Sequence, residues 1–153
     1  MKNIELFELF KALENINLSG AKFAYGIAKN INILKPHAIA ISKAQEYQGQ
    51  FKEYIKEKTE ILKKLADKDE KGRQIKEGDS FKVSENLEQC LDEVKVIDEK
   101  YKDAIEQRKV QMEEFEKLLE EPVSIELHKI KLEHVPQDIT SSQMKSIISL
   151  IEE

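Results

Sequence analysis

The chain has 153 residues, with 25 Lys or Arg against 30 Asp or Glu, and a formal charge of −5. That acidic balance argues against general binding of nucleic-acid backbones, which rests on clustered basic residues, and a single cysteine excludes an internal disulfide or a cysteine-built zinc or redox motif. A hydrophobic fraction of 40% beside 36% charge, with five Gly and three Pro, fits long helices with wet outer faces in a single domain over residues 1–153.

In chain order, Ile4, Phe7, Leu9, Phe10 and Leu13 form one apolar face and predict a short helix over residues 3–16, ended by Asn17-Leu18-Ser19-Gly20. Glu5 and Glu8 leave this start without the basic, apolar character of a signal peptide, and no stretch reaches the roughly 20 apolar residues of a membrane span. A second helix carries Phe23, Ile27, Ile31 and Leu34, and Pro36 is expected to end or bend it near Lys35. Gly26 and Gly49 each cost a helix about 1 kcal/mol relative to alanine, which predicts close helix–helix approach at both.

From His37 to about Asp67, the residues Ala44, Tyr47, Phe51, Tyr54, Lys58, Ile61 and Leu65 follow a heptad rhythm. The charged run Asp67 to Arg73 ends that helix. Residues 72–83 read as a reversing β-turn region, two extended pieces joined at Glu77-Gly78-Asp79. Ser84 is the expected N-cap of a helix over 85–120, whose seam is Leu87, Leu91, Val94, Asp98, Tyr101, Ile105, Arg108, Met112, Phe115 and Leu119. At about 1.5 Å per residue it spans near 50 Å, longer than a compact domain of this size, so part of it is expected to project. An antiparallel hairpin centred near residues 75–78 would set Lys58 opposite Asp98 as a register-fixing ion pair, Phe51 near Ile105, and Arg108 near Gln48 or stacked on Tyr47.

After Pro122 the pattern alternates, and residues 123–132 read as a strand whose expected partners are the pieces at 73–83. Thr140 caps a last helix with a stripe of Met144, Ile147, Ile148 and Ile151. The expected fold is mainly α (α+β): a long antiparallel helical hairpin, its arm about residues 37–120, with a small β-sheet element and terminal helices at a base formed by 1–36 and 121–153.

The chemistry of catalysis is missing from this pattern. His37, His128 and His134 have no metal-ligand spacing, the glycines form no phosphate loop, and no catalytic residue, metal or cofactor is expected. Glu126, His128, Glu133 and His134 read as a wet strand edge, and Cys90 as a small buried apolar residue. The aromatic seam of Tyr47, Phe51, Tyr54 and Tyr101 reads as core, and where a projecting arm exposes it, as a protein-contact surface; two further surfaces remain as binding candidates. One is the acidic row Glu113, Glu114, Glu116, Glu120 and Glu121, suited to a protein partner. The other is the cluster Lys22, Tyr25, Lys29 and Lys35, suited to a small nucleotide.

The elements Leu65-Ala-Asp-Lys-Asp-Glu-Lys-Gly72, Phe81-Lys-Val83, Leu118-Leu-Glu-Glu-Pro-Val123 and Ile139-Thr-Ser-Ser-Gln143, with Ala28-Lys-Asn30 in the second helix, resemble small proteins of tailed phages and prophages of Gram-positive bacteria, a domain of unknown function. The resemblance implies a phage-encoded protein in the cytoplasm of the infected bacterium or in particle assembly. The leading expectation is a non-enzymatic interaction protein that antagonises a host protein or antiviral defence system. The alternatives are a virion-assembly protein that forms homo-oligomers, and a binder that sequesters a small signalling nucleotide.

Overall fold

The computed structural model describes residues 1–16 and 19–152. Of the predicted break after the first helix, Asn17 and Leu18 lie outside the described residues. The fold is mainly α. In chain order come α1 (Asn3–Glu14), α2 (Ala21–Gln45), α3 (Gln50–Leu65), β1 (Lys76–Glu77), β2 (Ser80–Phe81), α4 (Leu87–Lys100), α5 (Lys102–Glu120), β3 (Ile130–Lys131), α6 (Ser141–Ile147) and β4 (Ile151–Glu152), with single 3-10 turns at Leu132–His134 and Ile148–Leu150. These elements form two compact units, one of residues 1–46 and 114–153, the other of residues 47–113.

In the first unit, α2 presents Phe23, Ile27, Asn30, Leu34, Ala38 and Ile41 on one buried stripe, against Leu6, Leu9 and Leu13 of α1. Ile147 and Leu150 complete this core and are fully buried. The C-terminal stripe therefore differs from the expected one: Ile148 is 61% exposed, because the last helix tightens into a 3-10 turn after Ile147 and then extends into β4. Thr140 caps α6 as expected, in a capping box with Gln143. Pro36 does not end α2, which runs through it to Gln45. The carbonyl that loses its amide donor belongs to Asn32, an exposed position where water can satisfy it. The helix stops instead at Glu46, whose backbone is extended (φ −60°, ψ 147°), and Gly49, with a φ of +52° that a residue with a side chain rarely adopts, stands at the N-cap of α3.

The second unit holds the antiparallel hairpin. Lys100 pairs with Glu57 at 2.7 Å and Lys64 with Glu93 at 3.2 Å, so α3 and α4 run in the register expected from a reversal near residue 78. Phe51 and Ile105 both pack on a core of Tyr54, Ile97, Tyr101 and Ala104. Arg108 stacks 4.9 Å from the Tyr47 ring centroid, again as expected. Lys58 and Asp98 meet through a third group rather than directly: Lys58 Nζ donates to the Tyr54 hydroxyl (3.0 Å), which donates to Asp98 Oδ1 (2.8 Å).

Two details of the second arm are corrections. Its buried seam is Cys90, Ile97, Tyr101 and Ala104, and Leu87 and Leu91 are exposed. The expected 85–120 helix is also divided at Tyr101 (φ −108°, ψ 19°), although the i to i−4 bonds Tyr101 N–H to Ile97 and Ile105 N–H to Tyr101 carry across it. Ser84 is not the N-cap of α4, which begins at Leu87. Its backbone N–H and hydroxyl both donate to the Asp67 carboxylate, as does the Glu85 N–H. The backbone of Asp67 also accepts from Ile75 N–H and donates to Lys82 carbonyl, both at 2.8 Å. Asp67 thus ties the end of α3 to both sides of the turn, through its backbone to Ile75 and Lys82 and through its carboxylate to Ser84 and Glu85.

Gly78 has φ +62° in the two-residue loop between β1 and β2, the position that a type II′ hairpin turn gives to glycine. The expected pairing of 123–132 with 73–83 is not formed. Residues β1 and β2 pair with each other, while β3 pairs in parallel with β4 at Ile130–Ile151 and Lys131–Glu152.

The donors from Ser84 and Glu85 hold the Asp67 carboxyl below its ordinary value near 3.8. The folded state therefore binds this proton less tightly than the unfolded state. Its contribution is complete above the unfolded pKa and disappears as pH falls through the folded one. Asp67→Asn is expected to lower the melting temperature at neutral pH, and the gap from the unsubstituted protein should close as pH drops from about 5 to about 2. Thermal unfolding followed by circular dichroism across that range checks it; a gap independent of pH would contradict the assignment.

Candidate functional site

The strongest candidate is a cleft of about 390 Å³ in the first unit. One wall is the start of α2, where Lys22, Tyr25 and Gly26 share a face at helical spacing. The other is the extended segment His128 to Lys131, with His134 and Glu152 at its border.

The facing wall is held by Asn30, which is fully buried on α2. Its Nδ2 donates to the His128 carbonyl (2.9 Å) and its Oδ1 accepts from the His128 N–H (2.8 Å). The amide thereby replaces a neighbouring strand for a residue that has none. Gly26 lets the two walls approach: a Cβ there would stand 2.7 Å from Ile130 Cγ1. The expected close contact at Gly26 exists, but with an extended segment rather than a helix. Gly49, by contrast, has nothing within 4 Å of a would-be Cβ and is required for its φ alone.

The polar groups are unevenly distributed. The Tyr25 ring is 64% exposed, with the His128 ring set edge-on to it at 6.1 Å and 84°. Lys29 Nζ lies 3.4 Å from His128 Nδ1 and 6.0 Å from the Tyr25 centroid. Lys129 donates to the Ser149 carbonyl (2.6 Å). Among the described residues, no carboxylate pairs with Lys22 or Lys131. His134 Nε2 is buried and, among the described residues, without a hydrogen-bond partner. The Glu133 carboxylate is 3.2 Å away but outside hydrogen-bond geometry. Around the cleft stand three lysines, two imidazoles and one carboxylate, over an apolar floor of Ala21, Gly26 and Ile130. Such a site attracts anions and offers a flat ring.

No protein-family model, curated protein or solved structure matches this chain.

Of the sequence-predicted cluster, Lys22 and Tyr25 line the cleft and Lys29 adjoins it through His128. Lys35, six residues beyond Lys29, is rotated about a third of a turn around α2 and is not brought to the cleft. The acidic row is exposed along the end of α5 and at Glu121. Its members divide between two helix faces, Glu113, Glu116 and Glu120 on one, Glu114 on another. Glu120 is paired with Lys2 at 2.5 Å, which raises the Lys2 pKa. Among the described residues, no group of three or more His, Cys, Asp or Glu could hold a metal ion.

Sequence reasoning missed Asn30, Lys129, Lys131 and Glu152. A polar amide in the stripe Ile27, Asn30, Leu34 was a readable signal, since a buried amide needs a partner. The two lysines read only as guards of a strand edge, and nothing local connects Glu152 to α2.

Asn30→Ala would leave the His128 N–H and carbonyl unpaired and is expected to destabilise the first unit by about 2–4 kcal/mol. Asn30→Asp, which keeps one acceptor for the His128 N–H, should cost less at pH values where the new carboxyl is protonated. Denaturant titration of the three proteins tests this, and a loss below about 0.5 kcal/mol for Asn30→Ala would mean that the clamp is dispensable.

Proposed function

We propose that this chain is a non-enzymatic binding protein that captures a small anionic ligand in the cleft beside α2, and that it acts as a phage protein by withholding that ligand within the infected bacterial cell. The observation that carries this reading is the gathering of Lys22, Tyr25, Lys129 and Lys131 around one cleft from opposite ends of the chain. In a protein with a formal charge of −5, a local group of cations around an apolar floor runs against the overall field and favours anions at that point.

Capture fits better than turnover. The described residues lining the cleft include no serine, threonine or cysteine to serve as a nucleophile beside the imidazoles. Cys90 is buried in the other unit. The acidic row ranks behind the cleft as a binding surface, because its charges lie on different helix faces and Lys2 neutralises one of them. The sequestration alternative therefore moves ahead of antagonism through an acidic helix, while the phage setting continues to rest on the resemblance in sequence.

Titration calorimetry of the full chain with pyrophosphate and with nucleoside diphosphates at low ionic strength tests the reading. Lys22→Glu and Lys131→Glu are exposed reversals that should each weaken binding at least about tenfold, on the order of 1.4 kcal/mol, and added salt should weaken it further. Reversal of Glu113 and Glu116 to lysine should leave binding unchanged. Equal affinity in all four variants, or no binding of any anion, would overturn the proposal.

A further inference from the structure

Charge alone leaves two features of the cleft without a use. Tyr25 exposes most of its ring at the start of a helix, where leaving an aromatic face in water forgoes burial. The edge of His128 lies on one side of it and the Lys29 ammonium near it. Glu152 places a carboxylate, an acceptor only, among cations that would otherwise suit a purely anionic ligand.

A matching ligand carries anionic oxygens for Lys22 and Lys131, a flat apolar face for Tyr25, and a neutral donor for Glu152. Inorganic phosphates lack the flat face and the neutral donors. Sugar phosphates lack the flat face. Fatty acids lack both the flat face and the donors. At about 390 Å³ the cleft also lies near the lower end of the roughly 300–1,000 Å³ of ligand pockets, which suits one nucleoside with its phosphates better than a dinucleotide.

Building on the reading of the cleft as an anion site, we propose that its ligand is a nucleoside phosphate, with the base on Tyr25 and the phosphates at Lys22 and Lys131. Stacking on an exposed tyrosine tolerates any base, so Tyr25 supplies affinity for the class. A contact from Glu152 then discriminates among its members.

The test compares the full chain with Tyr25→Ala and Tyr25→Phe, both at an exposed position, for binding of the four ribonucleoside diphosphates, ribose 5-phosphate and pyrophosphate. At least one nucleoside diphosphate should bind about tenfold or more tightly than pyrophosphate and ribose 5-phosphate. Tyr25→Ala should abolish that margin and Tyr25→Phe preserve it, with pyrophosphate binding unchanged in both. If pyrophosphate binds as tightly as every nucleotide, or if Tyr25→Ala leaves the margin intact, the nucleoside assignment falls while anion capture stands. If none of the six compounds binds, both fall.

Discussion

The pair of hydrogen bonds between the Asn30 amide and the backbone of His128 is the constraint on which the cleft depends. Among the described residues, the segment from Val123 to Lys129 is bridged to the chain start at Pro122 and Val123, and β3 pairs with β4 over two residues beyond its other end. Buried backbone groups need partners, and Asn30 supplies both for His128 from the middle of an otherwise apolar helix face. The clamp also sets phase. Along an extended chain a shift of one residue exchanges the two faces, so fixing His128 against α2 also fixes Ile130 over Gly26. The same choice brings the His128 ring to Tyr25 and Lys29.

Asp67 has the corresponding role in the second unit, with opposite chemistry. There the polar group is a carboxylate, and its partners are the N–H groups and hydroxyl that follow the turn. Removing such an acceptor leaves several donors unpaired at once, which is why one side chain can hold a whole reversal. The hairpin register has further support along its length from the Glu57, Glu93 and Tyr54 contacts. Exposed ion pairs contribute little individually. The Tyr54 hydroxyl, placed between Lys58 and Asp98, makes one polar contact out of two seam residues that would each interrupt the apolar packing.

What could be read from the sequence follows from the range of the interactions involved. Local signals were reliable where a residue acts on its own neighbours, as at Thr140 with Gln143 or Gly78 in its turn. The hairpin register was legible because Lys58 and Asp98 mark it from both arms, and Arg108 found Tyr47 as that register requires. The rotation of α4 was not legible: Leu87 and Leu91 extend a good heptad, yet both are exposed and Cys90 is the buried residue between them. Of the two outcomes expected at Pro36, an end or a bend, the end is not found: α2 runs through it, with Pro36 and Asn32 both at exposed positions. The strand partner of 123–132 was misassigned because β4 is two residues at the end of an amphipathic pattern that reads as helix. The cleft inherits that difficulty, since half of its wall comes from elements whose pairing is non-local.

That same non-locality shapes how the cleft can work. Its two walls are the first turns of α2 and the last 25 residues of the described chain, joined by Asn30, by the contact of Gly26 with Ile130, and by the β3–β4 pairing. A group that bridges Lys22 on one wall and Lys131 on the other adds a further tie between segments distant in sequence. Binding of that kind is linked to folding: a ligand with affinity only for the assembled cleft stabilises the unit in proportion to the logarithm of its free concentration. Under the proposed capture role this linkage works in one direction: every contact that strengthens the joined walls would also lengthen the time for which a ligand is held.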